Sequence, residues 1–327
     1  MRYSRLDHVT TISRNIPKRS RCETRSFCLR LSCCFLVSCC LLSVVWFLLA
    51  YYTITVRSCT HPGATFPDRK PPVMEHRELV SPLLFGDPPC QGLAWDASTL
   101  FFTGTDFIAS IKIATKDGKG TPDYTILKSV APVIPKELKD KGYWHIGDLT
   151  FFNGTLVLPI EDHGWTKPAL MLLDPHTLLP ILPIIEVPGM KHFPWVAIHQ
   201  DPGQPAVMYS SESLHVHEIF RHEFPSMKIL PSIRMPAEIK FISGGEFDTR
   251  GMLHISTFQP DAYGCNMYEI DVSDTAEQPL HAAYSLASFL GTVGLMENEG
   301  VAFSDKAFLV NFNFWYLFKG MITIALP

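Results

Sequence analysis

His145-Ile-Gly-Asp-Leu-Thr-Phe-Phe152, Asn153-Gly154, Thr155-Leu-Val-Leu-Pro-Ile160, and then Ala169-Leu-Met-Leu-Leu-Asp174 form the stretch that decides how the chain is read. The first run is short and apolar with period-two character. Asn153-Gly154 supplies a two-residue hairpin turn, because both residue types tolerate a positive φ. Thr155–Ile160 returns as a second strand, Glu161-Asp162-His163-Gly164 is a polar loop, and Ala169–Asp174 is a third strand closed by Pro175-His176.

Working outward, five phrases share this start, with small or polar residues leading into an apolar strand. They are Gln91-Gly-Leu-Ala-Trp-Asp96, Gly147-Asp-Leu-Thr-Phe-Phe152, Pro194-Trp-Val-Ala-Ile-His199, Gly244-Gly-Glu-Phe-Asp248 and Glu299-Gly-Val-Ala-Phe-Ser304. Each precedes a second strand: Leu100–Thr103, Leu156–Leu158, Val207–Ser210, Leu253–Ser256 and Phe308–Val310. A spacing of roughly 50 residues is that of propeller blades. Short strands broken by Gly, Pro and Asn argue an all-β chain, and the 26 prolines suit loops. The expected fold is a five-bladed β-propeller over 81–327, with six blades as the alternative. Ring closure removes edge strands, and Glu75–Leu84 could supply the outer strand of the last blade. Lys136–Lys141 suits a short helix ornamenting a loop.

The charge is unevenly placed. Residues 1–30 carry eight Lys/Arg against Asp7 and Glu23, leaving 20 basic and 30 acidic residues in the remainder. An acidic remainder argues against nucleic acid as a partner, since phosphate binding needs a basic surface. From Leu31 to Val56 the chain carries no basic or acidic side chain and is mostly apolar, and roughly 20 apolar residues cross a ~30 Å hydrocarbon core. Trp46, Tyr51 and Tyr52 fall where aromatic rings prefer the interface, and the basic flank keeps the N-terminus cytosolic. The expectation is a signal-anchor: a basic tail (1–30), a transmembrane helix (31–56), a Pro-rich stalk (57–80) and a lumenal or extracellular ectodomain on the secretory route. A cleaved signal peptide is the alternative, although its apolar region is shorter, about 7–15 residues.

Six of the nine cysteines, Cys22 to Cys40, lie in or before the span, as S-acylation sites or as small apolar packing residues. Cys59, Cys90 and Cys265 remain, so at most one intramolecular disulfide forms; the expected pair is Cys90 with Cys265. Asn153-Gly-Thr155 is also a glycosylation sequon.

The phrases resemble the plant-type glutaminyl cyclases, a family of membrane-anchored or secreted five-bladed propellers. Cys90-Gln91-Gly92-Leu93 matches the family's first Gln-Gly-Leu, and Gly147-Asp148-Leu149-Thr150 falls where it has Gly-Glu-Gly-Leu-Thr. Trp195-Val-Ala matches Trp-Gly-Leu-Ala, and Glu299-Gly-Val-Ala-Phe matches Asn-Gly-Ile-Ala-Trp. The resemblance covers about 85–327. The family's catalytic Glu corresponds at best to Asp148, one methylene shorter and displaced by a deletion, and its last-blade Lys has no counterpart in Leu309–Trp315. Similar phrasing occurs in strictosidine synthase- and gluconolactonase-like propellers.

In a propeller, residues beginning the innermost strands converge on the axial channel. Gln91, His145, Asp148, Trp195, Glu246 and Glu299 hold such positions. Asp148, Glu246 and Glu299 are the candidate acid/base carboxyls, with Gln91, His145, Trp195, Glu161 and His163 as ligand-binding residues. The competing reading is that they satisfy backbone groups at strand starts. A divalent cation held by Glu161, Asp162 and His163 with Asp148 and His145 is a further expectation, and His215-Val-His217 is a period-two pair lacking a visible third ligand. Gly-x-Ser-x-Gly, Walker and dinucleotide motifs are absent from the sequence, which disfavours phosphoryl transfer, hydride transfer and the α/β-hydrolase triad. Two functions stand: an ectodomain binding a small molecule or protein, and a cyclase- or lactonase/hydrolase-like enzyme.

Overall fold

In the computed structural model, the described residues are 53–66, 72–78, 91–97, 99–115, 122–273, 279–287, 296–304, 307–314 and 318–325, with six separate positions between 38 and 49. Two compact units divide the chain, Met1–Leu49 and Ala50–Pro327. In the first, the described positions are helical and exposed. Among the described residues no helix is long and apolar enough to cross a membrane. The tail 1–30, most of 31–56 and Cys90 lie outside the described residues.

The second unit is built from hairpins. Strands β1 (Thr55–Ser58) and β2 (Val73–Glu78) come first. The first sheet is β3 (Gly92–Asp96), β4 (Thr99–Gly104), β5 (Phe107–Thr115) and β6 (Pro122–Val130), in that order. After helix α1 (Lys136–Lys139), the second contains β7 (Tyr143–Ile146), β8 (Thr150–Phe152), β9 (Thr155–Asp162), β10 (Ala169–Leu173) and β11 (Pro180–Glu186). Here β7 and β8 are two halves of one inner strand, both paired with β9. The third is β12 (Ala197–His199), β13 (Ala206–Ser210), β14 (Val216–Phe224) and β15 (Lys228–Ile239). The fourth is β16 (Ile242–Phe247), β17 (Met252–Thr257), β18 (Met267–Asp271) and β19 (Leu280–Ala287), with β1 outermost. The fifth is β20 (Met296–Phe303), β21 (Ala307–Phe314) and β22 (Phe318–Ala325), with β2 outermost. All strand pairs are antiparallel. The inner strands touch in a closed circuit, β3 to β8, β12, β16, β20 and back to β3. This arrangement is a β-propeller.

The core lies in the seams between neighbouring sheets. Strand β9 shows why its sequence, Leu-Val-Leu-Pro-Ile, is apolar throughout: both faces are covered. Leu156, Leu158 and Ile160 pack toward Ala94, Phe101 and Ile108 of the first sheet. Val157 packs on the other side with Val196 and Met208 of the third. Each such side chain contributes about 1.5–3 kcal/mol on burial. Leu93, Leu100 and Phe102 meet Ala302 and Leu309 of the fifth sheet, and this seam joins the last sheet to the first. At the β8–β9 turn, Asn153 (φ 48°) and Gly154 (φ 77°) take the left-handed conformations that the hairpin requires.

Three expectations are corrected. The 57–80 stretch is not a free stalk, because β1 pairs with β19 and β2 pairs with β22. Its prolines fall between those strands rather than within them, so they did not prevent pairing. The proposed span cannot run to Val56 either: Ile54 is fully buried, and Thr55 and Val56 are already in β1. The disulfide is Cys59–Cys265, not Cys90–Cys265. Docking of β1 brings Cys59 onto the fourth sheet, and the strap is held further by Thr65 N–H and Phe66 N–H donating to Leu280 and His281 carbonyls. Within the strap His61 is buried edge-on to Tyr263 and Tyr268, and burial lowers its pKa despite Asp261 at 3.5 Å.

Candidate functional site

The centre of the ring is closed by one side chain. Asp148 interrupts the inner strand of the second sheet between β7 and β8 and is fully buried. Its Oδ1 accepts the Leu93 N–H of the first sheet at 2.8 Å. Its Oδ2 accepts Gly245 N–H of the fourth at 3.0 Å and Val301 N–H of the fifth at 3.2 Å. Its own backbone bridges to the third sheet, with Asp148 N–H to Pro194 O at 2.8 Å and Val196 N–H to Asp148 O at 3.2 Å. One residue therefore ties together all five sheets. Burial pushes its carboxyl well above the usual range, against the three N–H donors and with the charge of Glu246 adding to the rise.

Glycines at the strand starts permit this approach. A Cβ on Gly92 would lie 2.6 Å from the Asp148 Cα, and one on Gly244 2.6 Å from Asp148 Oδ2. A Cβ on Gly300 would meet Gly92 at the same distance. The recurring Gly of the repeat phrase thus marks where the strands converge most closely.

On the side of Asp148 where the inner strands begin, a cavity of about 200 Å³ opens at the axis. The first sheet contributes Gln91 and the second His145. His192, Pro194 and Ser213 flank it from the third-sheet region, Ile242, Ser243 and Phe258 from the fourth, and Glu297 and Glu299 from the fifth. It is a blind pocket, because Asp148 lies beneath it.

Two features organise its walls. Glu161 at the end of β9 is buried, and His145 Nδ1 lies 3.1 Å from its Oε2 and His192 Nε2 3.4 Å from its Oε1. Phe193 N–H also donates to Oε1. Burial would raise this carboxyl, but the hydrogen bonds and charges of the two histidines outweigh it and hold it below the usual range. The other nitrogen of His145 reaches Gln91 Oε1 at 3.1 Å, so the ring is fixed at both ends. Across the pocket, Glu297 and Glu299 share a side-chain hydrogen bond, while burial raises the Glu297 carboxyl. An aromatic rim stands beside the histidines: Trp165 lies edge-on to His192 at 4.5 Å, and Trp144 stacks on His163 at 5.0 Å.

The sequence candidates divide accordingly. Gln91, His145 and Glu299 line the pocket, and Glu161 supports it from behind. Asp148 is a structural clasp with no exposure. Trp195 is not a channel wall but core, fully buried, its Nε1–H donating to Ser211 Oγ at 2.9 Å and its ring against Gly245. Glu246 lies beyond Asp148, accepting from Thr150 Oγ1–H and Phe247 N–H at 2.8 Å each. Burial raises its pKa to about 7. His163 is exposed on Trp144.

The proposed cation set does not assemble. Asp162 instead accepts from Thr166 N–H and Lys167 N–H at 2.7 Å each, holding the loop. Among the described residues, no group of three or more His, Cys, Asp or Glu is arranged to hold a metal ion. His192 and Glu297 were missed because they precede the repeat phrases. Asn153 sits exposed at its hairpin tip.

A larger groove of about 860 Å³ runs along the third and fourth sheets past His199, Arg221 and Arg250. Its cations are already engaged: Arg250 with Asp248 at 2.6 Å and Glu269 at 3.2 Å, and Arg221 with the Pro231 carbonyl at 2.6 Å.

No protein-family profile and no curated protein matches the sequence. Among solved structures, the chain is similar to the Dos1 propeller, at 13% identity over 73% of this chain and 67% of that one, with a TM-score of 0.37. It is also similar to the GH43_1 enzyme from Xanthomonas citri, at 10% identity over 76% of this chain and 91% of that one, with a TM-score of 0.47. The same enzyme complexed with xylotriose gives 10% identity, 76% and 90% coverage and a TM-score of 0.45. The chain's own closed circuit of sheets makes it a β-propeller.

Proposed function

We propose that the chain is a single-pass type II membrane protein whose five-bladed lumenal or extracellular propeller binds a small molecule at the blind axial pocket. One observation carries this reading: every sheet region sends at least one side chain into the same small cavity, and Asp148 closes it from below. Small-molecule sites are concave and mix apolar walls with a few placed polar groups. With the span ending by Tyr52, Leu31–Tyr52 would rise about 33 Å as a helix, which suffices for a bilayer core.

Thermal-shift measurements across a panel of amines, polyols and carboxylic acids test the pocket. A ligand that stabilises the wild type but not Gln91→Ala or Glu299→Gln supports it; a panel-wide lack of response counts against it. Resistance to alkaline extraction tests the anchor.

A second reading, acid/base catalysis on a small substrate, is favoured by one observation, the hydrogen-bonded carboxyl pair Glu297–Glu299 with the Glu297 pKa raised by burial. Under it, Glu297→Gln removes turnover while binding persists. The position that the glutaminyl cyclase resemblance pairs with a catalytic Glu, Asp148, has no access to a substrate.

A further inference from the structure

The charge of the pocket narrows what it can hold. Its described lining contains two carboxyl groups, Glu297 and Glu299, and neither Lys nor Arg. The remaining titratable lining groups are His145 and His192, and both already face the buried Glu161 carboxylate behind them. An anion entering here would meet like charge with no fixed cation to receive it. A neutral polyol would bring no positive charge to the hydrogen-bonded Glu297–Glu299 pair. Beside the carboxyls, the neighbouring fourth sheet brings Ile242, and the segment after β17 brings Phe258, to the same pocket, an aliphatic face and an aromatic one. A compact cation with a short carbon body satisfies both halves, since ammonium groups pair with carboxylates and also favour aromatic faces.

Resting on the reading of this pocket as a small-molecule site, we propose that its ligand is a small protonated amine, with the ammonium between the Glu297 and Glu299 carboxyls and the carbon body against Phe258 and Ile242. The ammonium N–H groups take the place of the proton that the pair shares. Binding then converts one carboxyl and one carboxylate into two carboxylates and releases one proton to solvent. Burial raises the Glu297 carboxyl while its hydrogen bond to Glu299 lowers it, the sign of a Glu297 oxygen accepting a proton carried by Glu299. Affinity accordingly rises with pH until that proton is already lost. His145, His192 and Glu161 are the other titratable groups facing the site, so the shared proton is distinguished from theirs by mutation.

Isothermal titration calorimetry of the purified full-length chain with n-butylammonium and ethanolammonium, against n-butanol, glycerol and butyrate, tests this. The expected result is saturable binding of the amines alone, tighter at pH 8 than at pH 5.5. Heats measured in two buffers of different ionisation enthalpy should show release of up to one proton. Glu297→Gln and Glu299→Gln should each weaken binding about 10- to 100-fold, the value of a charge-assisted hydrogen bond, with unfolding midpoints showing that both variants are folded. Glu246→Gln, beyond Asp148, should leave the amine affinity unchanged. Binding of butyrate or a neutral alcohol that depends on Gln91 and Glu299, without amine binding, would keep the pocket as a ligand site and overturn the amine. Amine binding insensitive to both glutamate variants also overturns it. Saturation by none of the probes overturns the amine and counts against the pocket as well.

Discussion

Replacing Asp148 should unfold the propeller before it affects any ligand. Its two oxygens accept three backbone N–H groups from three other sheets, at 2.8, 3.0 and 3.2 Å. In Asp148→Ala all three donors lose their acceptor where water has no ready entry, and each buried orphan costs about 1–3 kcal/mol. Relief of burying a carboxyl offsets part of that sum, so a net loss of about 3–5 kcal/mol is expected. Asp148→Asn keeps an oxygen for the Gly245 and Val301 donors but turns an NH2 toward Leu93 N–H, and should lose about 1.5–3 kcal/mol. Against a total stability of about 5–15 kcal/mol these are large fractions. Urea unfolding followed by tryptophan fluorescence gives the order wild type, Asn, Ala from most to least stable. An alanine variant within 1 kcal/mol of wild type would refute the clasp and return Asp148 to the list of chemical candidates.

Other expectations follow from the same geometry. Glu246 has a folded pKa of about 7 against an ordinary value of 4.5, so the native state binds more protons between those values and stability falls as pH rises through that window. Glu246→Gln, which can still accept from Thr150, should flatten this slope and stabilise the protein by about 3 kcal/mol at pH 8 while matching wild type near pH 4.5, as read from denaturation curves at both pH values. Cys265→Ser opens a cross-link spanning 206 residues and should cost about 4–5 kcal/mol by loss of chain constraint. Non-reducing peptide mapping should recover Cys59 joined to Cys265 in the wild type, and a Cys90–Cys265 peptide would contradict the strap. Asn153 sits exposed at a hairpin tip, so a lumenal ectodomain should show a glycosidase-sensitive mobility shift that Asn153→Gln abolishes; a wild-type protein lacking that shift after secretory-route expression counts against the proposed topology.

The hairpin grammar was legible because it is local. Asn153-Gly154 fixes a turn whatever surrounds it, and the apolar runs in β4, β9 and β13 are continuous because these strands are covered on both faces. The outer strands were harder. Val216-His-Glu-Ile-Phe-Arg-His-Glu-Phe224 in β14 buries Val216, Ile219 and His222 among exposed and half-buried neighbours, a spacing of three that does not announce a strand. The N-terminal strap was hidden for another reason. Proline density in 57–80 is a local signal, whereas the pairing of β1 with β19 joins residues more than 200 apart, as Thr55 with Ala287. His215 and His217 do meet a third group, Glu238, at 2.7 and 3.7 Å, but across an exposed strand pair where Lys240 also claims that carboxylate at 3.1 Å.

The candidate site was half legible, and the dividing line is geometric. Gln91, Ser243 and Glu299 each stand immediately before an axial glycine, Gly92, Gly244 and Gly300, and all three reach the pocket. His145, two residues before Gly147, does so too. Asp148 and Glu246, which follow Gly147 and Gly245, and Trp195, which follows Pro194, do not line it. The glycine marks the level at which inner strands are nearest, since a Cβ at Gly92 or Gly244 would collide with Asp148. At that level there is room for one clasping side chain and none for a ligand. Strands that splay from this waist leave space only on the preceding turn of chain, where Glu297 and His192 also lie. A repeat of the form polar-Gly-apolar therefore sets two roles in adjacent positions: the residue before the glycine faces the axial pocket, and the glycine and its successor hold the ring shut.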